Sequence, residues 1–435
     1  MSAFRIYGGK PLRGTITPQG SKNEALQVIC ATLLTSAPVT IHNIPDILDI
    51  QGLLGLLQVL GVAIERLDKN SYRFQAANLH MDSVDVRELK EHAGKIRGSV
   101  MILGPLLARL GKAKVLQPGG DKIGRRRLDT HFIGISRLGA SFTYDAQLEA
   151  YLVEARELKG NYILLDEASV TGTANVIMAA GLAKGTTTIY NAACEPHIQQ
   201  LCKMLVQMGA SIEGTGSNLL TIHGVEELHG TTHRILPDML EVGSFVGLAA
   251  LTRAELTIQD VHAKQLEPIL GRFRRLGVQL DVTGSDIHIH PQTCYEIEKD
   301  INSSMLTLAD AVWPGLPPDL LSIMLVTAIQ AKGSVLIHQK MYESRLFFVD
   351  KLIEMGAQLV LCDPHRVNVI GLNREYPLRG IRMTSPDIRA GIALVIAALS
   401  AEGQSIIEHI SQIDRGYEKI EERLKALGAD IERIA

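Results

Sequence analysis

Three short segments combine a helix-start signal with a charged side chain that could take part in anion chemistry. They are Gly20-Ser21-Lys22-Asn23, Pro317-Pro318-Asp319 and Ser385-Pro386-Asp387-Ile388-Arg389. The first turn of a helix presents unpaired N–H groups, so a nearby Lys or Arg completes a phosphate or carboxylate site. Alternatively, Ser21 and Asp387 serve only as N-caps. Recurrence of the same arrangement favours anion binding.

A second candidate is the run Pro118-Gly119-Gly120-Asp121-Lys122-Ile123-Gly124-Arg125-Arg126-Arg127, which interrupts the hydrophobic pattern around it. Glycines let a backbone approach a ligand closely, and arginines bind phosphates bidentately. The run matches neither the phosphate loop that ends in Gly-Lys-Ser/Thr nor a dinucleotide-binding fingerprint. The alternative is a solvated surface loop.

Isolated arginines at Arg97, Arg345 and Arg415 also lie in tight contexts, although Arg345 and Arg415 could instead pair with the neighbouring Glu343 and Asp414. Together the cations would line a cleft between two lobes; they are Lys22, Arg97, Arg126, Arg345, Arg389 and Arg415. Such a cleft suits a small, multiply charged anion and needs no divalent metal.

The elements that must position these side chains form six repeats, each with two helices and a few strands. Each repeat stops at a Leu/Met-Gly-Ala/Val triplet; the stops are Leu60-Gly61-Val62, Leu138-Gly139-Ala140, Met208-Gly209-Ala210, Leu276-Gly277-Val278, Met355-Gly356-Ala357 and Leu427-Gly428-Ala429. Differencing the glycine numbers gives spacings of 78, 70, 68, 79 and 72 residues. Regular self-similarity of this kind indicates a repeat architecture.

Inside the repeats, phrases such as Ala183-Lys184-Gly185 and Ala331-Lys332-Gly333 follow an apolar helix and precede a β-branched strand. Six units predict two lobes of three. We expect residues 18–236 to form the first lobe, with the loop 118–127, and residues 1–17 plus 237–435 to form the second. The stretch Phe4–Thr17 is expected to be one strand that returns to the second lobe.

Composition restricts the class of protein. The 435 residues are 46% hydrophobic with a formal net charge of −3, which argues against a nucleic-acid partner. The apolar runs fall short of the roughly 18 residues of a membrane helix, and we expect a cytoplasmic protein. The five cysteines are interpreted as reduced core thiols. No His and Cys pairing has metal-ligand spacing, so neither metal nor cofactor is expected.

The chain resembles the enolpyruvyl transferase family over nearly its whole length. The motifs that carry the resemblance are Gly20-Ser21-Lys22-Asn23, Pro118-Gly119-Gly120, Ile123-Gly124-Arg125-Arg126, Asn191-Ala192-Ala193-Cys194-Glu195-Pro196, Arg234-Ile235-Leu236-Pro237-Asp238 and Ile413-Asp414-Arg415-Gly416-Tyr417-Glu418. The resemblance implies a two-lobed inside-out α/β barrel of six βα units. It also implies transfer of the enolpyruvyl group of phosphoenolpyruvate to the 3′-hydroxyl of UDP-N-acetylglucosamine, the first committed step of peptidoglycan precursor synthesis. We also expect the protein to be a monomer.

The resemblance also assigns roles to individual residues. Lys22, Arg126 and Arg415 match positions around the phosphate, Arg345 and Arg389 match positions near the carboxylate, and Arg97 matches a further arginine of that pocket. Asp319 matches a general base held against the sugar hydroxyl. Positions that match residues lining the site or contacting the nucleotide are Asn23, Asp387, Arg126, Arg127, Leu128, Asp129, Thr130, Glu167, Ser169, Val170 and Met341.

One position departs from the family pattern. The loop usually carries cysteine after the paired glycines, but this chain has Asp121. The resemblance makes Asp121 the loop acid and implies resistance to fosfomycin, an epoxide that alkylates the loop thiol. A carboxyl group is normally ionised at neutral pH, so the identity and protonation of the acid stay open. Two alternatives remain: transfer to shikimate 3-phosphate, and a catalytically inactive UDP-sugar-binding regulator.

Overall fold

The computed structural model describes residues 2–81, 84, 86–94, 96–121, 124 and 127–434, with the backbone alone for Val86 and Lys264. The strands of the described residues are β1 (Ala3–Tyr7), β2 (Arg13–Ile16), β3 (Val39–His42), β4 (Ala63–Arg66), β5 (Tyr72–Gln75), β6 (Lys112–Leu116), β7 (Ser141–Asp145), β8 (Ala150–Glu154), β9 (Tyr162–Leu164), β10 (Thr186–Tyr190), β11 (Ser211–Glu213), β12 (Leu219–His223), β13 (Thr232–Arg234), β14 (Glu255–Ile258), β15 (Leu280–Thr283), β16 (Asp286–Ile289), β17 (Leu306–Ala309), β18 (Ser334–His338), β19 (Gln358–Asp363), β20 (Arg366–Ile370), β21 (Arg382–Thr384), β22 (Gln404–Glu408) and β23 (Asp430–Ile434).

The helices lie between groups of these strands along the chain. They are α1 (Lys22–Ala31), α2 (Leu48–Val59), α3 (Val86–Ala93), α4 (Leu103–Leu110), α5 (Asp129–Arg137), α6 (Val170–Ala180), α7 (Pro196–Gln207), α8 (Met239–Thr252), α9 (Glu267–Arg275), α10 (Leu321–Ala328), α11 (Val349–Glu354), α12 (Ile388–Ser400), α13 (Ser411–Asp414) and α14 (Ile420–Ala426). Short 3₁₀ helices at Arg97–Ile102 and Pro318–Leu320 lead directly into α4 and α10.

The predicted repeat stops are confirmed at all six positions. The Leu or Met of each triplet is the C-cap of its helix, and the glycine that follows has φ between +89° and +106°. At the first stop, Gly61 N–H donates to Gln58 O at 3.0 Å and Val62 N–H donates to Leu57 O at 3.1 Å. This pair of bonds is the Schellman motif, which requires the left-handed conformation that glycine adopts without strain.

The chain divides into two units, one of Gly20–Asp121 and Arg126–Leu236, the other of Met1–Gln19 and Pro237–Ala435 together with Gly124. The described strands of the first form the sheets β13-β3-β5-β4, β6-β8-β7 and β11-β12-β10-β9. Those of the second form β15-β16-β14-β2, β17-β18-β20-β19 and β21-β22-β1-β23. In every four-stranded sheet, one edge strand pairs in parallel and the other pairings are antiparallel.

The N-terminal stretch corrects one expectation, because Phe4–Thr17 is two strands in two sheets. Strand β1 lies between β22 and β23, with Ile6 opposite both Ser405 and Ile431, and β2 pairs in parallel with β14. Strand β1 therefore completes the sheet of the sixth repeat, and β2 is an edge strand of the sheet of the fourth repeat.

Apolar helices form the interior of each unit. In one unit α8, α10 and α12 pack against one another, and nearly all their residues are buried. In the other, α1, α4 and α6 are buried in the same way, apart from the last three residues of α4. Burial on every side fits the mostly apolar sequences of α6, α8, α10 and α12, whereas α1 also buries Lys22, Glu24 and Gln27. The cysteine prediction is partly wrong: none of the five forms a disulfide, and Cys30 and Cys202 are buried, but Cys294 and Cys362 are exposed.

Candidate functional site

The predicted site residues divide between the two units. The unit that contains α8, α10 and α12 carries Asp319, Met341, Arg345, Asp387, Arg389 and Arg415. The other unit carries Lys22, Asn23, Arg97, Asp121, Arg127, Leu128, Asp129, Thr130, Glu167, Ser169 and Val170. Each group of residues has its own geometry. Arg126 lies outside the described residues.

Asp319 is bound by two of the predicted arginines. Its Oδ1 accepts from an Arg345 guanidinium nitrogen at 2.5 Å, and its Oδ2 accepts from Arg389 Nε at 3.3 Å. The three side chains meet because Asp319 precedes α10 and Arg389 lies in the first turn of α12, beside it. Two buried guanidinium groups on one carboxylate form a compact, strongly charged cluster.

A buried tyrosine supports Arg389 from the other side. Arg389 Nη1 donates to Tyr417 Oη at 3.1 Å, and the guanidinium lies 5.5 Å from the centre of the Tyr417 ring. Burial opposes the charge of Arg389, but the carboxylates of Asp319 and Asp238 and the hydrogen bond to Tyr417 more than offset it, so the pKa of the guanidinium is raised. Burial likewise raises the pKa of the Tyr417 hydroxyl, which remains protonated.

Asp387 and Arg415 flank this cluster. Asp387 is the N-cap of α12: its Oδ1 accepts from Arg389 N–H at 2.7 Å and from Ala390 N–H at 2.9 Å. The predicted capping roles of Ser21 and Asp387 are thus confirmed. Arg415 ends the short helix α13 and donates to Gln412 Oε1 at 2.9 Å.

The backbone of Met341 is hydrogen-bonded to a buried acid, Asp310, that the sequence did not reveal. The carboxylate of Asp310 accepts from Met341 N–H at 3.1 Å and from Lys340 N–H at 2.5 Å. Burial raises the pKa of Asp310, whereas these backbone donors oppose the increase. Asp310 therefore fixes the backbone of Met341, whose side chain is exposed.

In the other unit, Lys22 is the first residue of α1 and its ammonium group forms a buried ion pair. Nζ lies 2.6 Å from Asp49 Oδ2, and both side chains are less than a tenth exposed. Asp49 belongs to the first turn of α2, so the ion pair connects the starts of two helices. Asn23 follows Lys22 and is partly exposed. Asp49 orients the ammonium group and offsets the free-energy cost of burying its charge.

Arg97 binds the chain just after the glycine-rich loop. Its guanidinium donates to the carbonyl oxygen of Arg127 at 2.7 Å. A buried pair lies beside it: Asn175 Nδ2 is 2.7 Å from His131 Nδ1 and 2.9 Å from Val100 O. Burial, and secondarily the charge of Arg97, lower the pKa of His131 to about 3, so the imidazole is neutral.

The predicted nucleotide segments are close together. Thr130 Oγ1 donates to Asp166 Oδ1 at 2.7 Å and lies 3.3 Å from Glu167 Oε1. Arg127 pairs with Asp166 at 3.0 Å and with Asp129 at 3.1 Å. Asp166 therefore links the start of α5 to the segment before α6. Asp166 was not among the predicted site residues, although its neighbour Glu167 was.

The first turns of α5 and α6 complete the cluster. Leu128 precedes α5 as its N-cap, and Ser169 caps α6, accepting from Gly172 N–H at 3.3 Å. Val170 is the first residue of α6. A Cβ at Gly172 would lie 2.9 Å from Thr130 Cγ2, so glycine permits the close approach of the two segments.

The glycine-rich loop is described at both ends. Gly119, Gly120 and Asp121 are partly exposed, and Gly120 has φ of +113°, which favours glycine. Four polar partners of these residues were not predicted from the sequence: Asp49, Asp166, Asp310 and Tyr417. A usable signal existed for Asp49, which is the single acid of a long apolar helix.

The fold is that of the enolpyruvyl transferases. Residues 6–424 match the family model described as EPSP synthase (3-phosphoshikimate 1-carboxyvinyltransferase). The structure is similar to the enolpyruvyl transferase NikO from Streptomyces tendae, with a TM-score of 0.87 at 23% identity, covering 100% of this chain and 99% of that one. The predicted α/β fold class is confirmed.

Proteins of similar sequence show to which family of enolpyruvyl transferases the chain belongs. The chain is 63% identical over 434 residues to a UDP-N-acetylglucosamine 1-carboxyvinyltransferase of Bacteroides fragilis, covering 100% of both chains. It is 61% identical to the enzyme of that name from Bacteroides thetaiotaomicron, again over 100% of both. The chain therefore belongs to the UDP-N-acetylglucosamine 1-carboxyvinyltransferase family of enolpyruvyl transferases.

Proposed function

We propose that the chain transfers the enolpyruvyl group of phosphoenolpyruvate to the 3′-hydroxyl of UDP-N-acetylglucosamine, the first committed step of peptidoglycan precursor synthesis. A proton adds to the methylene carbon, so C2 becomes cation-like. The sugar oxygen attacks C2 and loses its proton to a base, giving a tetrahedral phospho-ketal. Phosphate then leaves and a methyl proton is lost, which restores the double bond.

The observation that carries the proposal is the position of Asp319 between Arg345 and Arg389. A substrate carboxylate is a bidentate partner for either guanidinium and competes with Asp319 for them. Its binding releases Asp319, whose carboxylate then accepts the proton of the sugar hydroxyl. The cluster therefore couples binding of phosphoenolpyruvate to the availability of the base.

The remaining predicted cations serve the phosphate. Lys22, Arg97 and Arg415 are assigned to the phosphate of phosphoenolpyruvate and of the ketal, with Arg126 as a further candidate. Fixed cations stabilise the departing phosphate without reorganising during the reaction. Asn23 and Asp387 line this site, and Asp387 also fixes the first turn of the helix that carries Arg389.

The nucleotide is assigned to the cluster around Asp166, and Met341 is kept as a further predicted contact. The predicted contacts are Arg97, Arg126, Arg127, Leu128, Asp129, Thr130, Glu167, Ser169, Val170, Asp319, Met341 and Asp387. To these we add Asp166, because it holds both Arg127 and Thr130 in place. Asp121 is assigned as the loop acid in place of the usual cysteine.

A phosphate-release assay tests the proposal. The protein with phosphoenolpyruvate and UDP-N-acetylglucosamine should release one phosphate per sugar consumed, and a chelator should leave the rate unchanged, because arginines take the place of a metal. Asp319→Asn should abolish turnover, because an amide cannot accept the proton of the sugar hydroxyl. Release with shikimate 3-phosphate instead would identify the acceptor named by the family model. Nucleotide binding without release would indicate the inactive regulator.

The same proposal places the enzyme in the cytoplasm as a monomer without cofactor or metal. Within the described part of the chain, no helix is long and apolar enough to span a membrane. Among the same residues, His, Cys, Asp and Glu side chains form no group of three or more that could hold a metal ion. Light scattering on the eluting chromatographic peak should give the mass of one chain, 47.4 kDa; twice that mass would contradict the monomer.

A further inference from the structure

Gln19 is a buried residue whose polar groups are all engaged. Its backbone N–H donates to Glu241 Oε2 at 2.7 Å, and its carbonyl oxygen accepts from Asp238 N–H at 2.8 Å. The side chain binds a third segment: Nε2 donates to Gly416 O at 2.8 Å, and Oε1 accepts from Glu418 N–H at 2.7 Å. One residue therefore joins three parts of the chain.

The segment held by this amide carries two groups of the candidate site. Arg415 immediately precedes Gly416, and Tyr417 lies between the two backbone groups that Gln19 binds. Tyr417 in turn binds Arg389. Fixing the backbone on both sides of Tyr417 therefore fixes the hydroxyl that orients Arg389, and it limits the movement of Arg415.

The contact requires an amide. Gly416 presents an acceptor and Glu418 presents a donor, so the side chain between them must donate through one atom and accept through the other. An ionised glutamate would direct an oxygen at the Gly416 carbonyl, and a methionine would leave both backbone groups without a partner. Either change leaves buried polar groups unsatisfied, which disturbs the local backbone.

The charged surroundings make glutamate especially unfavourable. Glu241 is buried and pairs with Arg423 at 2.5 Å, and Arg423 also donates to Thr17 O at 2.7 Å. Glu418 and Asp238 face Gln19 through their backbone N–H groups, and Tyr417 and Arg389 lie beyond the clamped segment. A third carboxylate near Glu241 and Glu418 would be favoured in its protonated form.

We propose that Gln19 is a positioning residue for the phosphoenolpyruvate site, acting through Tyr417 on Arg389 and through Gly416 on Arg415. The inference rests on the proposed function, which supplies the ligand. It assigns to the last residue before Gly20 a role in the affinity for the small anion and in turnover, with no contact to substrate.

Gln19→Glu gives the sharpest test, because a protonated glutamate can again donate to Gly416 O. At pH 8 we expect kcat/KM for phosphoenolpyruvate to fall at least tenfold while the Kd of UDP-N-acetylglucosamine stays unchanged. Between pH 8 and pH 5.5 the ratio of variant to wild-type activity should rise. Gln19→Met should lose activity at every pH, and the exposed Gln404→Glu should match the wild type throughout.

Thermal shift by phosphoenolpyruvate provides a readout that needs no turnover. If the wild type is stabilised by phosphoenolpyruvate but releases no phosphate, the proposed function fails, and the role of Gln19 is still read from the loss of this stabilisation in Gln19→Glu. Three results would overturn the inference. They are a pH profile of Gln19→Glu activity that parallels that of the wild type, a loss of nucleotide affinity as large as the loss for phosphoenolpyruvate, and a wild type that does not bind phosphoenolpyruvate. Thermal melts without ligand identify a variant that fails to fold, and Gln19→Met then provides the comparison.

Discussion

Arg389 and Tyr417 form the first link of a directed chain of hydrogen bonds. Ser244 Oγ donates to Leu240 O at 2.9 Å, so the Tyr417 hydroxyl, 2.9 Å from Ser244 Oγ, donates to the serine. The tyrosine oxygen is then left to accept from Arg389 Nη1 at 3.1 Å. These donor roles follow from the network as a whole. The guanidinium therefore donates to a neutral acceptor, the Tyr417 oxygen, as well as to the Asp319 carboxylate.

Replacing Arg389 should affect phosphoenolpyruvate far more than the nucleotide. Arg389→Ala removes a charge-assisted hydrogen-bond partner of the substrate. We therefore expect kcat/KM for phosphoenolpyruvate to fall by an amount that corresponds to a loss of about 2–4 kcal/mol in transition-state stabilisation. Tyr417→Phe keeps the charge and loses one hydrogen bond, so its loss should be about 1 kcal/mol. Steady-state kinetics with each substrate varied provide the measurement. Wild-type kinetics in Arg389→Ala would remove its assignment.

The nucleotide should order the crossings between the two units. Ser21 N–H donates to Leu236 O at 2.7 Å within one unit, and Asp238 N–H donates to Gln19 O at 2.8 Å within the other. Hydrogen bonds therefore join the two crossing segments on either side of the crossing. Saturating UDP-N-acetylglucosamine should slow proteolysis at these segments and in the loop 118–127, as mapped by mass spectrometry. Phosphoenolpyruvate alone is the control. An unchanged digestion pattern would count against this ordering by the nucleotide.

Asp121 should make the protein resistant to fosfomycin. A carboxylate attacks an epoxide far more slowly than a thiolate, so the wild type should remain active and unmodified. Asp121→Cys should retain activity, become sensitive and gain one covalent adduct by mass spectrometry. Asp121→Asn should turn over more slowly, because an amide cannot exchange the proton.

The exposed Cys294 and Cys362 serve as internal controls for nonspecific alkylation in the same experiment. Time-dependent inactivation of the wild type, or full activity in Asp121→Asn, would mean that Asp121 is only a solvent-facing loop residue.

His131 should make the fold sensitive to acid. Its pKa is lowered from 6.5 to about 3 by burial. Below pH 6.5 the unfolded chain therefore binds a proton that the folded chain does not, and stability falls as the pH drops toward 3. The slope approaches about 1.4 kcal/mol per pH unit. Asn accepts from Asn175 in place of Nδ1 but does not titrate, so His131→Asn should be destabilised at pH 7.5 and lose less stability on acidification.

Urea unfolding between pH 7.5 and pH 4.5 measures this difference, with the exposed His262→Asn as the matched control. A constant gap between His131→Asn and the wild type at every pH would show that the imidazole does not carry the acid sensitivity.

Much of the candidate site was predictable because its residues carry local signals. Lys22, Asp319 and Arg389 each lie at a helix start that the sequence marks with Ser, Pro or Asp, and the structure places each one there. Asp166 and Asp310 gave no such signal. Each acts through bonds to residues 29 to 39 positions away, and nothing in the spacing identifies a buried carboxylate whose donors lie in another segment.

The sequence by itself determined the six units and their ends. A Schellman stop or an N-cap depends on atoms within about five residues, so its free energy is decided locally and the triplets Leu/Met-Gly-Ala/Val are sufficient. The tertiary structure decided which strand completes each sheet and which acid meets each cation. Ile6 pairs with Ser405, and Gln19 binds Gly416 across 397 positions. Such contacts form only when the apolar helices pack, because their burial supplies the free energy that holds distant segments together.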